Sequence, residues 1–224
     1  MTTGRGVPTG RGVPTGRGVP TGRGVPTDPA AIAPAAGTWE DLATAVRGCV
    51  ACPELVISRT TVVVGHRPWD QSHADVMLIG EAPGAQEDLA GEPFVGRSGQ
   101  LLDSLLAEAG LDRSLVAVAN VLKCRPPANR KPRRAEVGRC RPWLARQIEL
   151  ADPRVLVALG GTAAEWFFGP GARIASLREE TRDHEGRPLV VTYHPSAAIR
   201  FGPNGAPLAA LRVDLAAVAR LVGG

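Results

Sequence analysis

An α/β fold, with a parallel sheet covered by helices on both faces, is predicted by three features of the 224-residue sequence. Short, nearly continuous apolar runs suit strands buried on both faces. Those runs alternate with stretches whose apolar residues recur at helical spacing, the pattern of repeated βα units. Turns rich in Gly, Pro or polar residues follow the runs, as connections at strand ends require.

Taken along the chain, residues 38–48 read as a helix with Trp39, Leu42 and Val46 on one face. Residues 61–64 form a short Val-rich run, and 76–80 a second one that leads into Glu81-Ala82-Pro83-Gly84. Residues 98–109 repeat Leu at helical spacing, and 115–122 form a third strand carrying Asn120 near its end. A helical pattern over 134–150 precedes the strand 155–159, and another over 162–168 follows it. The last strand, 189–192, runs into Tyr193-His194-Pro195-Ser196, and residues 208–221 close the chain as a helix.

Residues 3–26 stand apart as four copies of Thr-Gly-Arg-Gly-Val-Pro. With a Gly on each side of Arg and a Pro in every sixth position there is too little to bury, so residues 1–37 read as a disordered low-complexity tail and 38–224 as the folded domain. The repeats hold Arg5, Arg11, Arg17 and Arg23 and no acid; outside them 22 basic residues balance 22 acidic ones. The basic pI therefore belongs to the tail, whose Arg-Gly content suits weak, salt-sensitive contact with nucleic acid. No stretch approaches the roughly 20 apolar residues that span a bilayer, and no apolar segment of a secretory signal follows the first Arg. A cytoplasmic protein, a monomer with no membrane partner, is the expectation.

Within the folded part the basic residues concentrate in 123–146, where nine Lys or Arg face a single acid, Glu136. Pro126, Pro127 and Pro132 interrupt the segment, so it reads as a phosphate-contacting loop rather than a plain solvated helix. It is bracketed by two of the four cysteines. Cys49 and Cys52 form a C-x2-C pair that can chelate one metal centre, while Cys124 and Cys140 lie sixteen positions apart. Four thiolates suit tetrahedral zinc or an iron–sulfur cluster. A second compact knuckle, usual in zinc modules, is missing, which favours a cluster; disulfides or inert buried thiols are the alternatives.

In parallel sheets ligands bind beyond the carboxyl ends of the strands, where strand order reverses. At those ends stand the turn from Glu81 through Ala82 to Gly84, whose backbone amides can approach a ligand, then Glu87 and Phe94, then Asn120, then His194 and Ser196. An amide, an imidazole and an amide-lined turn thus share one predicted rim.

The strings GEAPGAQED (80–88), GEPFVGRSGQLLD (91–103), NVLKCRPPANRKP (120–132) and YHPSAA (193–198), with Cys140-Arg141-Pro142-Trp143-Leu144 between the last two, resemble the family 4 uracil-DNA glycosylases, the iron–sulfur type of bacteria and archaea. The resemblance runs from about Trp39 to the C-terminus. It implies a three-layer α/β/α sandwich with a central mostly parallel sheet, and a structural 4Fe-4S cluster on Cys49, Cys52, Cys124 and Cys140. It also implies hydrolysis of the N-glycosidic bond of uracil in single- or double-stranded DNA, leaving an abasic site. In that reading His194 donates to uracil O2, Asn120 reads the base edge and Phe94 stacks on it. Glu81 positions the attacking water, Glu87 lines the pocket, and Ser196 grips a flanking phosphate. Uracil-containing DNA in the bacterial cytosol or nucleoid is the implied partner.

Two departures accompany the likeness. Residues 65–73 are bulkier than the short turn the family carries there. A related class traps the sugar covalently through a His in a KRRIH loop, whereas here Lys123-Cys124-Arg125-Pro126-Pro127 has no His, so ordinary turnover is expected. The alternatives are an inactive nucleic-acid-binding protein and an iron–sulfur redox protein.

Overall fold

The structure is a computed structural model that describes Met1 and residues 28–67 and 73–223. The Thr-Gly-Arg-Gly-Val-Pro repeats and residues 68–72, in the middle of the bulky turn, lie outside the described residues.

Five strands form one sheet: β1 (Val76–Gly80), β2 (Val116–Asn120), β3 (Val155–Leu159), β4 (Arg182–His184) and β5 (Arg187–Thr192). Their spatial order is β2-β1-β3-β5-β4, parallel throughout except for the β4 edge. Every residue of β1, β2 and β3 is buried, which explains their continuous apolar sequences. Alternate residues serve opposite layers. Met77, Ile79, Leu156 and Val191 join one core with Leu42, Trp143, Leu144 and Trp166. Leu78, Val118, Val157 and Val190 join the other with Leu102, Leu106, Leu211 and Leu215. Each such fully buried side chain contributes about 1.5–3 kcal/mol relative to exposure.

The helices supplying the first layer include α2 (Trp39–Arg47) and α6 (Arg134–Ala151); α5 (Arg97–Glu108) and α10 (Ala206–Gly223) cover the other face. A three-layer α/β/α sandwich is the result, as the sequence predicts. α2 begins at a capping box in which Asp41 N–H donates to Thr38 Oγ1 while Thr38 N–H donates to Asp41 Oδ2.

Three expectations need correction. Residues 61–64 are not a strand: Val62, Val63 and Val64 are buried and Val63 N–H donates to Lys123 O, but the segment runs antiparallel beside β2 with only an isolated bridge further on, between His66 and Val118. Its apolarity records burial more than a continuous ladder. Residues 28–36, assigned by composition to the tail, fold into α1 (Pro29–Ile32) and a 3-10 turn. Ala33 and Ala36 are buried against α6, and Arg146 donates twice to Ala36 O at 2.9 and 2.7 Å. An Ala/Pro-rich stretch can be held this way by one arginine and small buried faces. β4 was missed because Arg182, Asp183 and His184 carry no apolar signal; a polar antiparallel edge shields the sheet from further pairing.

Four more short helices complete the chain: α3 (Pro53–Ser58), α4 (Ala85–Ala90), α8 (Ile174–Leu177) and α9 (Pro195–Phe201), with α7 (Gly161–Phe168) following β3. Among the described residues no helix is long and apolar enough to cross a membrane.

Candidate active site

Strand order reverses at β1, which pairs with β2 on one side and β3 on the other. The register sets Gly80 beside Asn120 and Leu159 beside Thr192, so the segments leaving four strands meet at one edge. Around them lies a cavity of about 420 Å³ lined by Glu81, Ala82, Gly84, Glu87, Phe94, Asn120, His194 and Ser196. All the predicted site residues other than the cysteines are therefore brought together.

Asn120 is only 3 % exposed, and its Oδ1 has no hydrogen-bond partner among the described residues. A buried carbonyl left unpaired costs about 1–3 kcal/mol, so this acceptor is kept for something that enters the cavity. Gly80 makes room for it: a Cβ there would stand 2.4 Å from Asn120 Oδ1 and 2.7 Å from Phe94 Cζ. Phe94 itself holds a left-handed backbone, φ +56°, a strained state that needs surrounding support. Gly99 supplies some, since a Cβ at that position would lie 1.5 Å from Phe94 O. The Phe94 ring sits 5.7 Å from the His194 ring, at 32°.

His194 caps α9: its Nδ1 accepts from Ser196 N–H at 3.1 Å and lies 2.8 Å from Ser196 Oγ. An imidazole that accepts at Nδ1 carries its proton on Nε2 when neutral. Burial holds it neutral, moving its pKa from the ordinary 6.5 to about 4, with only a small opposing pull from Glu87. Ser196 thus contacts His194 while still bordering the cavity.

The two glutamates are also engaged. Glu87 accepts from Gly84 N–H at 3.1 Å and Gly96 N–H at 2.8 Å, tying the turn after β1 to the start of α5. Glu81 accepts from Thr162 Oγ1 through Oε2. Thr162 is not among the residues predicted for the rim, although the Gly160-Gly161-Thr162 turn follows β3. Phe201, at the end of α9, is 61 % exposed with Arg200 stacked over it at 5.0 Å, the geometry of a surface pair beside the cavity rather than part of it.

The basic segment differs from expectation. Lys123 is buried, Arg130 pairs with Glu136 at 2.6 Å, Arg133 pairs with Glu54, and Arg141 lies 4.2 Å above the Trp166 ring while donating to its carbonyl. These cations hold α3, α6 and α7 together. Of the segment only Arg130, with Pro126 and Asn129, also reaches the cavity wall.

All four cysteines are free thiols around a second, small pocket, together with Arg59, Lys123, Arg139 and Trp143. Cys124 Sγ accepts from Arg59 Nη1 at 2.9 Å, and Cys52 from Arg139. Burial raises the thiol of Cys124 and pushes that of Cys140 up to about 12, so ionised sulfurs here need a cationic centre. The Trp143 indole N–H is buried and without a partner among the described residues, in a pocket that otherwise offers it sulfur. Four thiols, three flanking cations and a waiting N–H donor fit an anionic metal–sulfur group. Among the described residues no three His, Cys, Asp or Glu side chains are set to hold a single ion.

Fold and site together define a doubly wound α/β protein with a cleft at its switch point. Residues 68–216 match the uracil DNA glycosylase superfamily, and the chain belongs to that family. It is 44 % identical over 161 residues to the type-4 uracil-DNA glycosylase of Thermotoga maritima, covering 71 % of this chain and 82 % of that one. The type-4 enzyme of Pyrobaculum aerophilum is 40 % identical, over 69 % and 81 % of the two chains. A type-5 enzyme of the same organism is 31 % identical, over 75 % and 87 %.

Proposed function

We propose that this chain is a uracil-DNA glycosylase that flips uracil into the cavity and hydrolyses its bond to deoxyribose. The observation that carries the reading is the buried, unpartnered Oδ1 of Asn120. Uracil offers N3–H to that oxygen and O4 to the side-chain NH2; cytosine offers the opposite pattern and would leave buried groups unpaired. Phe94 supplies a stacking face, a contact worth about 1–3 kcal/mol per base.

Bond cleavage leaves negative charge on uracil and positive charge on the sugar. A neutral His194, with its proton fixed on Nε2 by Ser196 N–H, donates toward uracil O2 where that charge grows. Glu81, held at Oε2 by Thr162, retains Oε1 to orient the attacking water and to face the cationic sugar. Glu87 holds the turn whose amides border the base, which is a shaping role. A 4Fe-4S cluster, bound by Cys49, Cys52, Cys124 and Cys140, would supply cross-linking between the segment before α3, the end of β2 and α6, and no step of the hydrolysis.

The test is incubation with a single-stranded oligonucleotide containing one uracil, followed by alkali. Scission only at uracil supports the reading, whereas DNA binding without scission would leave an inactive binding protein. A brown protein absorbing near 400 nm tests the cluster separately. Gly80→Ala is expected to keep the fold but slow excision by about 100-fold, because a shift near 1 Å in a reading group carries that penalty. An unchanged rate would mean that Asn120 and Phe94 are not in contact with the base.

A further inference from the structure

Lys123 lines the thiol pocket, yet its side chain reaches toward the other cavity. It is 1 % exposed, and its Nζ donates to the main-chain oxygen of Asn120 at 2.7 Å. Its own N–H points to the Cys140 thiol, and its carbonyl accepts from Val63 N–H at 2.8 Å. The intervening residues are equally fixed: Val121 N–H donates to Gly80 O and Leu122 N–H to Glu81 O. The residue thus lines the thiol pocket beside Cys124 and Cys140 while its side chain reaches back to the end of β2.

We infer that Lys123 is a positioning residue: held at the thiol pocket by its main-chain N–H on the Cys140 sulfur, it uses its side-chain donor to fix the main chain of Asn120 and so aims the amide that reads the base. The inference rests on the glycosylase reading for its kinetic consequence. It also gives the metal pocket a task in recognition without any part in bond cleavage. Removing the side-chain donor takes away the Nζ contact to Asn120 O and loosens the setting of that residue, while Val121 and Leu122 stay tied to Gly80 and Glu81.

The experiment compares Lys123→Met and Lys123→Gln holoenzymes, each alone and combined with Asn120→Ala. Single-turnover excision, affinity for the oligonucleotide and iron content are measured. Lys123→Met is expected to keep iron and DNA affinity within about twofold while slowing excision about tenfold, the loss typical of one charge-assisted hydrogen bond. Lys123→Gln, whose amide can still donate, should recover part of the rate. In the Asn120→Ala background Lys123→Met should add less than about twofold, since the group it aims is gone. A full rate for Lys123→Met overturns the inference, as does an undiminished tenfold loss beside Asn120→Ala. Loss of iron in both Lys123 variants would assign the residue to cluster retention and overturn it too. Failure of the unsubstituted enzyme to excise uracil counts against the glycosylase reading alone. The link is then read from the Asn120 side-chain amide NMR signal, which Lys123→Met must shift if the inference holds.

Discussion

Asn120→Ala is expected to slow uracil excision by about 1000-fold while leaving the protein at least as stable as the parent. The rate falls because two hydrogen bonds to the base edge vanish in a site where water cannot replace them, and sites built on such bonds lose far more than apolar ones. Stability behaves oppositely because Asn120 Oδ1 has no hydrogen-bond partner among the described residues. Its removal relieves a penalty of about 1–3 kcal/mol, and the space opens onto the cavity instead of a sealed core. A residue that is costly to the fold and indispensable to the reaction is the signature of a site kept for its ligand. Single-turnover kinetics and a thermal melt check both halves. Near-parental excision by Asn120→Ala, or a melting point several degrees lower, would remove Asn120 from its role as reader.

The contrast between legible and illegible parts follows from what each residue owes to its neighbours in sequence. β1 and β3 could be delimited without error because a strand buried on both faces is apolar at every position. Asn120, His194 and the Glu81 turn were legible because α/β topology sends functional groups to strand ends. Thr162 stands at such an end too, but its meaning comes only from Glu81, far away in sequence. The basic run misled for the same reason. Charge density along the chain says nothing of Glu54, Glu136 or the Trp166 ring, which use Arg133, Arg130 and Arg141 internally. Lys123 is the extreme case: a lysine predicted to face phosphate is sealed between Asn120 and the cysteines. Nor does composition mark residues 28–36 as folded, since their attachment depends on Arg146 of α6.

His194→Ala is the second large effect, an expected loss of about 100- to 1000-fold in excision with DNA affinity nearly unchanged, as when one preorganised donor to a developing anion is removed. The same substitution strips the cap from α9, because His194 Nδ1 accepts from Ser196 N–H, which costs about 1 kcal/mol on its own. His194→Asn separates the two effects: a short amide oxygen can cap the helix but does not carry a donor to the reach of Nε2. Both variants should therefore lose activity, and only His194→Ala should lose cap stability. Acid adds an independent check. Burial lowers the folded-state pKa from 6.5 to about 4, so between those values the unfolded chain binds a proton that the folded one refuses. The stability this group contributes is complete above about pH 6.5 and declines as the pH falls toward 4. Replacing His194 removes that titration, so on acidification across this range the melting point of the parent should fall below that of His194→Asn. Above it, excision by the parent should not respond to titration of His194, since the donor is already neutral. A parental rate that instead rose as the pH fell from 7.5 to 6 would mean that the imidazolium is the working form, and that burial does not set the proton where the Ser196 contact implies.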